Sequence, residues 1–264
     1  MQEHEVIGNY EVLGKDVITR REALLVGALA ASSVLGTGPA KAITQGATQG
    51  TAAASAAASA CIAKDFSKLA ASGLPGLSGN QISQHIKLYQ GYVAKVNEIQ
   101  GKLKEADLSG ANATYSPYRE LLIEESYALN GVIYHEFYFG NLGGSSGEPT
   151  GALRSALEDG WGGMGKFMDH LKAAGKCMRG WVIVGYNMRD GRLCLYGLDT
   201  HNMFVPACVI PILALDVYEH SYMIDYGIDR GKYLEAFVNN LQWDVVARRF
   251  TAALKHPAGD IATL

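Results

Sequence analysis

Only seven of the 264 residues are histidines, so the few in informative surroundings stand out. Asp216-Val-Tyr-Glu-His220 directly follows an apolar run of strand length at 209–215. A strand that ends in aspartate and then turns can fold a histidine four residues on back beside that carboxylate. His135 lies in Asn130-Gly-Val-Ile-Tyr-His135-Glu-Phe-Tyr-Phe139, an otherwise apolar and aromatic stretch, and His85 occupies a comparable place earlier in the chain. Three imidazoles and one carboxylate, if their elements converge, suit a first-row metal such as iron, manganese or zinc. Each residue also has a plainer reading. A lone histidine on an apolar helix face is more often a hydrogen-bonded core residue than a ligand, and Asp216 with His220 could form an ion pair or a cap.

The elements that must position these residues follow from periodicity. Residues 81–104 carry Ile82, Ile86, Tyr89, Val93, Val96 and Leu103 at helical spacing. Ser116-Pro117 marks a break, and Pro117 suits the first turn of a second helix running to about Leu142. Residues 143–149 are rich in glycine and serine and read as a linker. Residues 150–174 are helical in pattern, interrupted by Trp161-Gly162-Gly163. The runs 181–186 and 193–198 flank Asp190-Gly191 as a β-hairpin, 209–215 is a third strand, and 232–250 closes the chain as a helix. The expected fold is α+β: an N-terminal helical hairpin domain over 73–148, then an α/β domain over 149–264 with a small three-stranded antiparallel sheet.

Composition narrows the function classes. Apolar residues at 48% and charged residues at 19% are ordinary for a soluble globular protein, and a net charge of −3 offers no basic footprint for nucleic acid or acidic membranes. Cys61, Cys177, Cys194 and Cys208 contain no C-x-x-C pair, which argues against a zinc knuckle or a thioredoxin-type site. They read as free, mostly buried thiols, although an even count leaves pairing open. Arg20-Arg21 precede an apolar run at 23–35, too short for a span of ~20 apolar residues. The run leads to Ala40-Lys41-Ala42, a small-x-small end that fits a cleavage site. Residues 1–42 therefore look like a twin-arginine export signal, although Glu3, Glu5, Glu11 and Asp16 offset its positive charge. The expectation is a periplasmic or secreted protein with no stable membrane span after processing. Residues 43–72 are expected to be a linker, since 43–60 is almost wholly Ala, Ser, Thr, Gln and Gly and has too little apolar bulk to offset its ordering entropy.

Several segments share a family pattern. Asp216-Val-Tyr-Glu-His-Ser-Tyr222 resembles the D-x-W-E-H-A-Y signature of iron/manganese superoxide dismutases. Asp225-Tyr226, Arg230, Tyr233 and Trp243 continue in register with that family's D-Y…R-x-x-Y…N-W tail. His135-Glu-Phe-Tyr-Phe-Gly-Asn-Leu142 resembles its N-H-x-x-x-W-x-N-L segment, and Gly180-Trp181 its G-S-G-W. The resemblance covers about 74–250. It implies disproportionation of superoxide to dioxygen and hydrogen peroxide, with one iron or manganese per subunit held by His85, His135, Asp216 and His220 and room for one solvent. It makes Tyr92 the gateway tyrosine and places Trp181, Tyr138 and Phe139 in an aromatic shell. The family's outer-sphere glutamine has no counterpart at Gly131, and its alternative place falls on His201. Glu219 matches a glutamate that reaches across a two-fold interface to the partner's ligand histidine, and Tyr222 an interface tyrosine. A homodimer or higher homo-oligomer is implied.

The departures are specific. Tyr218 and Phe139 replace tryptophans, and Tyr89 stands where the family often has a second histidine near the channel. His85 lies seven residues before Tyr92 where eight is common, so an ungapped match puts Gln84 at the ligand position. Imidazole is the better ligand, which favours His85. Successive helical residues differ by ~100° in direction, so the two cannot serve one site. With His85 as ligand, Tyr89 and Tyr92 follow along one stripe facing the channel. With Gln84, Leu88 follows instead. Two rival readings remain: an interaction module on the same fold with a degenerate site, and a zinc hydrolase, which would lack an obvious general base.

Overall fold

The structure, a computed structural model, describes residues 60–144, 147–203, 205–256 and 258–259. The signal-like segment and most of the low-complexity stretch lie outside the described residues. A short helix, α1 (Ser67–Ser72), precedes the two long ones, α2 (Gly79–Lys104) and α3 (Pro117–Asn141). Both long helices start where the sequence supplies an N-cap. The Ser78 hydroxyl accepts from Gln81 N at 3.0 Å and the Ser116 hydroxyl from Arg119 N at 3.2 Å, with Pro117 in the first turn. The buried stripe of α2 runs through Ile82, His85, Ile86, Tyr89, Val93 and Val96 and packs against α3.

Helices α4 (Gly151–Trp161) and α5 (Met164–Cys177) are parted by Gly162, whose left-handed φ of 77° caps α4 with a 2.7 Å bond to the Glu158 carbonyl. Strands β1 (Trp181–Asn187), β2 (Arg192–Leu198) and β3 (Val209–Asp216) form one antiparallel sheet in the order β2-β1-β3. β1 is central and buried from Trp181 to Tyr186, which is why it reads as an unbroken apolar run. Trp181 pairs with Leu198 on one side and Asp216 on the other. The β1–β3 register slips after Val184, which pairs with Leu213 while Gly185 pairs with Pro211. Ile212 is the extra residue, and the bulge accommodates a proline that cannot donate to the ladder.

The sheet and the helical hairpin match the expected fold, and three readings change. The closing helix is two helices, α7 (Arg230–Asn239) and α8 (Trp243–Ala253), after a one-turn α6 (Met223–Tyr226). Between them Leu241 bridges to Leu142, Gln242 N bonds Asn141 O at 2.7 Å, and buried Asn240 donates to Pro75 O at 2.7 Å. Tertiary partners outcompete helix continuation there. Among the described residues, packing reaches back to Cys61, inside the stretch read as linker. Cys61 N donates to Asn97 Oδ1 at 2.8 Å and Asn97 Nδ2 donates back to Cys61 O at 2.9 Å, while Phe66 packs on Tyr89 and Phe139. Finally, the four thiols are free but not mostly buried. Cys177 and Cys208 are exposed, at the end of α5 and in the turn before β3, and Cys61 and Cys194 are half-buried. The hairpin and the α/β part pack as one unit, and no helix among the described residues is long and apolar enough to cross a membrane.

Candidate metal centre

Four elements deliver four donors to one point. His85 comes from the buried stripe of α2, His135 from α3, Asp216 from the last residue of β3, and His220 from a 3-10 turn at Glu219–Ser221. The chain turns at Asp216 because its Oδ1 accepts from Tyr218 N at 2.9 Å. The Ser221 hydroxyl secures the turn on the carbonyls of Tyr218 (2.7 Å) and Asp216 (3.1 Å), and the Tyr233 hydroxyl donates to Asp216 O at 2.6 Å. Oδ1 is thereby spent on the turn, and Oδ2 faces the imidazoles. His85 Nε2 lies 3.0 Å from it, His220 Nε2 3.1 Å and His135 Nε2 3.6 Å. The four donor atoms all fall within 4.8 Å of one another.

Protonation states suit a cation at this point. His135 Nδ1–H donates to the Gly131 carbonyl at 2.5 Å, which fixes the tautomer and leaves Nε2 as a lone pair. That Nε2 is fully buried and has no hydrogen-bond partner. An orphaned buried nitrogen is costly in a folded protein, and a metal ion would satisfy it. Burial, helped by His85, pushes His135 down to about 3, and burial also lowers His85. Burial opposes ionisation of Asp216, but its neighbours His220 and His85 outweigh that and hold the carboxyl well below the usual range. One carboxylate with three imidazoles is a donor set for iron, manganese or zinc, so the residues fit such an ion.

On α2, His85 is buried in the cluster and Gln84 is exposed. A spacing of seven is about two helical turns, so Tyr92 stays on the face of His85, whereas eight would rotate it by roughly 80°. The Tyr92 ring lies 5.4 Å from that of His135. Its hydroxyl is 2.9 Å from His201 Nε2, and Trp181 Nε1–H reaches His201 Nδ1 at 2.9 Å. An indole nitrogen only donates, so Nδ1 of the neutral ring accepts and Nε2–H donates to Tyr92. Burial lowers His201 to about 4 and raises Tyr92 well above its usual range, so both are uncharged at neutral pH. The place left without glutamine is filled. A Cβ on Gly131 would sit 3.0 Å from the Tyr92 ring.

Three aromatic rings pack against the ligand-set imidazoles. Trp181 lies 5.0 Å from His135, and Tyr138 and Phe139 each lie 4.9 Å from His85. Tyr89 differs. Its hydroxyl is bonded to Lys64 N at 2.8 Å and Glu136 Oε1 at 3.0 Å, while Glu136 pairs with Lys64 Nζ, so it faces the N-terminal segment rather than the Tyr92–His201 pair. Tyr222 is buried against Tyr233, with its hydroxyl accepting from Arg230 Nε at 3.2 Å. Glu219 is exposed and lines a surface hollow with Arg179, Asp199, Tyr218, His220 and Arg230. Sequence reasoning missed the contributions of Tyr233, Tyr127 and Asn130. The Tyr127 ring stands 4.5 Å from that of His201, and Asn130 Nδ2 bonds His201 O at 3.0 Å. Tyr127 and Asn130 stand eight and five residues before His135, off its helix face, so no local signal marked them.

An α-hairpin and a sheet that together enclose three imidazoles and one carboxylate define a mononuclear metal centre ringed by aromatic groups. Comparison with known proteins makes this specific. Residues 149–249 match the family model of iron/manganese superoxide dismutases, C-terminal domain. The chain is 46% identical over 192 residues to an iron superoxide dismutase of Aquifex aeolicus, covering 71% of this chain and 90% of that one, with the same figures for one of Aquifex pyrophilus. It is 34% identical over 190 residues to a manganese superoxide dismutase of Mycolicibacterium smegmatis, covering 70% and 90%. The chain belongs to the iron/manganese superoxide dismutase family. Its activity is that of a superoxide dismutase, and its cofactor is iron or manganese.

Proposed function

We propose that His85, His135 and His220, each through Nε2, and Asp216 through Oδ2 hold the metal on which superoxide is disproportionated. The observation that carries this assignment is the convergence of those four atoms on one point, with His135 Nε2 lacking any other partner. When bound, the metal supplies alternate acceptance and donation of one electron. The protein must do the rest. Two superoxide anions and two protons give one dioxygen and one hydrogen peroxide, so turnover needs proton delivery. Tyr92, kept protonated by burial and hydrogen-bonded to His201, holds a hydroxyl proton beside the ligand His135. Trp181 holds His201 in the required tautomer, and Tyr138, Phe139 and Trp181 exclude bulk water. Purified protein should contain about one equivalent of iron or manganese per chain and consume superoxide. Zinc alone, or no metal with no activity, would contradict the assignment.

Two further readings rest on the sequence. The exposed Glu219 beside His220 supports a C2 dimer in which each Glu219 reaches His220 of the other copy. Arg20-Arg21 before a short apolar run supports twin-arginine export to the periplasm or beyond. Replacing both arginines by lysine should leave unprocessed protein in the cytoplasm, and unchanged export would refute that route.

A further inference from the structure

His201 belongs to a turn between β2 and β3, yet it is 1% exposed and its two ring nitrogens are each engaged at 2.9 Å. Turns are the least self-supporting parts of a fold, so something outside this one must hold it. That support is one stripe of α3. Ile123, Ser126, Tyr127 and Asn130 stand at i, i+3, i+4 and i+7 on a single helix face. Asn130 Nδ2 donates to the His201 carbonyl at 3.0 Å. Asn202 Nδ2 donates to Ser126 Oγ at 2.8 Å and reaches the Ile123 carbonyl at 3.4 Å. The Tyr127 ring meets the His201 ring edge-on, with centroids 4.5 Å apart and planes at 75°.

Tyr127 does more than pack. Because Tyr92 accepts from His201 Nε2–H, its own hydroxyl proton must point elsewhere. The neighbouring phenol is that of Tyr127, whose ring centroid lies 6.2 Å from that of Tyr92; burial first, and then the nearness of Tyr127, raises both Tyr92 and Tyr218. The helix that carries His135 thus also fixes the outer histidine and sets a second phenol beside the gateway tyrosine.

We propose that Tyr127 and Asn130 are positioning residues for superoxide turnover, holding His201 and the Tyr92 hydroxyl at a set distance from the metal centre. The proposal rests on the reading that His201 and Tyr92 serve that centre. Neither residue touches a metal donor. They act by keeping the two ring nitrogens of His201 in register with Trp181 and Tyr92, so the hydrogen bond that tunes the site is made at a fixed geometry.

The test compares Asn130→Ala, Tyr127→Ala, Tyr127→Phe and His201→Ala in the metal-loaded full chain. Metal content, kcat and KM separately, and the midpoint potential of the metal are measured for each. Asn130→Ala and Tyr127→Ala should retain the metal, lower kcat about two- to tenfold with little change in KM, and move the potential in the direction His201→Ala moves it. Tyr127→Phe keeps the ring against His201 but not the hydroxyl, so it should lower kcat while leaving the potential in place. Wild-type kcat and potential in Asn130→Ala and Tyr127→Ala, beside a clear effect of His201→Ala, would overturn the positioning role and leave the site assignment standing. Losses that track only metal content or melting temperature would overturn it too. If His201→Ala is itself silent, the reading of His201 falls, and this inference falls with it.

Discussion

Gly131→Ala separates the stability of the helical hairpin from the geometry of the gateway tyrosine. Gly131 lies inside α3, where alanine is intrinsically better than glycine by about 0.8–1.0 kcal/mol. The new Cβ, however, would stand 3.0 Å from Cδ1 and 3.1 Å from Cγ of Tyr92. Carbon contacts prefer about 3.5–4.0 Å, so the Tyr92 ring must retreat by roughly half an ångström. Overpacking of this kind costs about 1–3 kcal/mol. The net change is a loss of about 1 kcal/mol, a fall of roughly 2–4 °C in Tm. The Gly131 carbonyl that accepts from His135 Nδ1 is retained, so metal content should stay at the wild-type level. Retreat of the ring strains the 2.9 Å bond between Tyr92 and His201, and loss of a bond worth about 0.5–1.5 kcal/mol should slow turnover about two- to tenfold. Stopped-flow superoxide decay, metal analysis and a thermal melt on one preparation read all three quantities. Unchanged turnover, or slowed turnover explained wholly by lost metal, would refute the reasoning.

Tyr233→Phe removes the 2.6 Å bond to the Asp216 carbonyl inside a buried site, so it should cost about 1–3 kcal/mol in a denaturant melt and weaken metal retention. The pH dependence of the metal-stripped chain follows from His135 and His201, which are held near 3 and 4 in the fold against about 6.5 when unfolded. The unfolded chain therefore binds protons first. Stability is full above pH 6.5 and falls by about 1.4 kcal/mol per unit for each group, until the folded-state values are reached. Urea midpoints from pH 8 to 4.5 should show this decline, and His201→Gln should make it shallower; a flat profile would contradict it. Glu219→Ala should weaken self-association and lower metal retention by sedimentation and metal analysis, and a fully metallated, active monomer of the unsubstituted chain would sink the dimer.

Much of the fold is written locally. The apolar repeat from Ile82 to Leu103 and Ser116-Pro117 announce the two long helices, and the apolar runs around Asp190-Gly191 announce the hairpin, because periodicity, caps and turns are made by neighbours in sequence. What depends on distant partners was not legible. Leu241 continues an apolar helical repeat, and only its bridge to Leu142 shows why the helix must stop there. Tyr89 sits on the stripe of His85, but its hydroxyl direction is set by Lys64 and Glu136, the first of them in a segment whose upstream composition suggested a linker. Within the site, Asp216 and His220 could be read from their own short segment, where a turn brings them together. Tyr127 and Asn130 could not, since a tyrosine and an asparagine on a helix carry no mark of the loop they will grip.

The account stands or falls on the donor from α2. His85 is buried with its Nε2 3.0 Å from Asp216 Oδ2, and Gln84, one residue and about 100° away, is exposed. The most direct measurement is metal bound per chain in purified His85→Ala, with Gln84→Ala prepared in parallel. The account predicts that His85→Ala loses most of its iron or manganese and its superoxide-consuming activity, while Gln84→Ala keeps both. A fully metallated, active His85→Ala protein, or metal loss confined to Gln84→Ala, would contradict it.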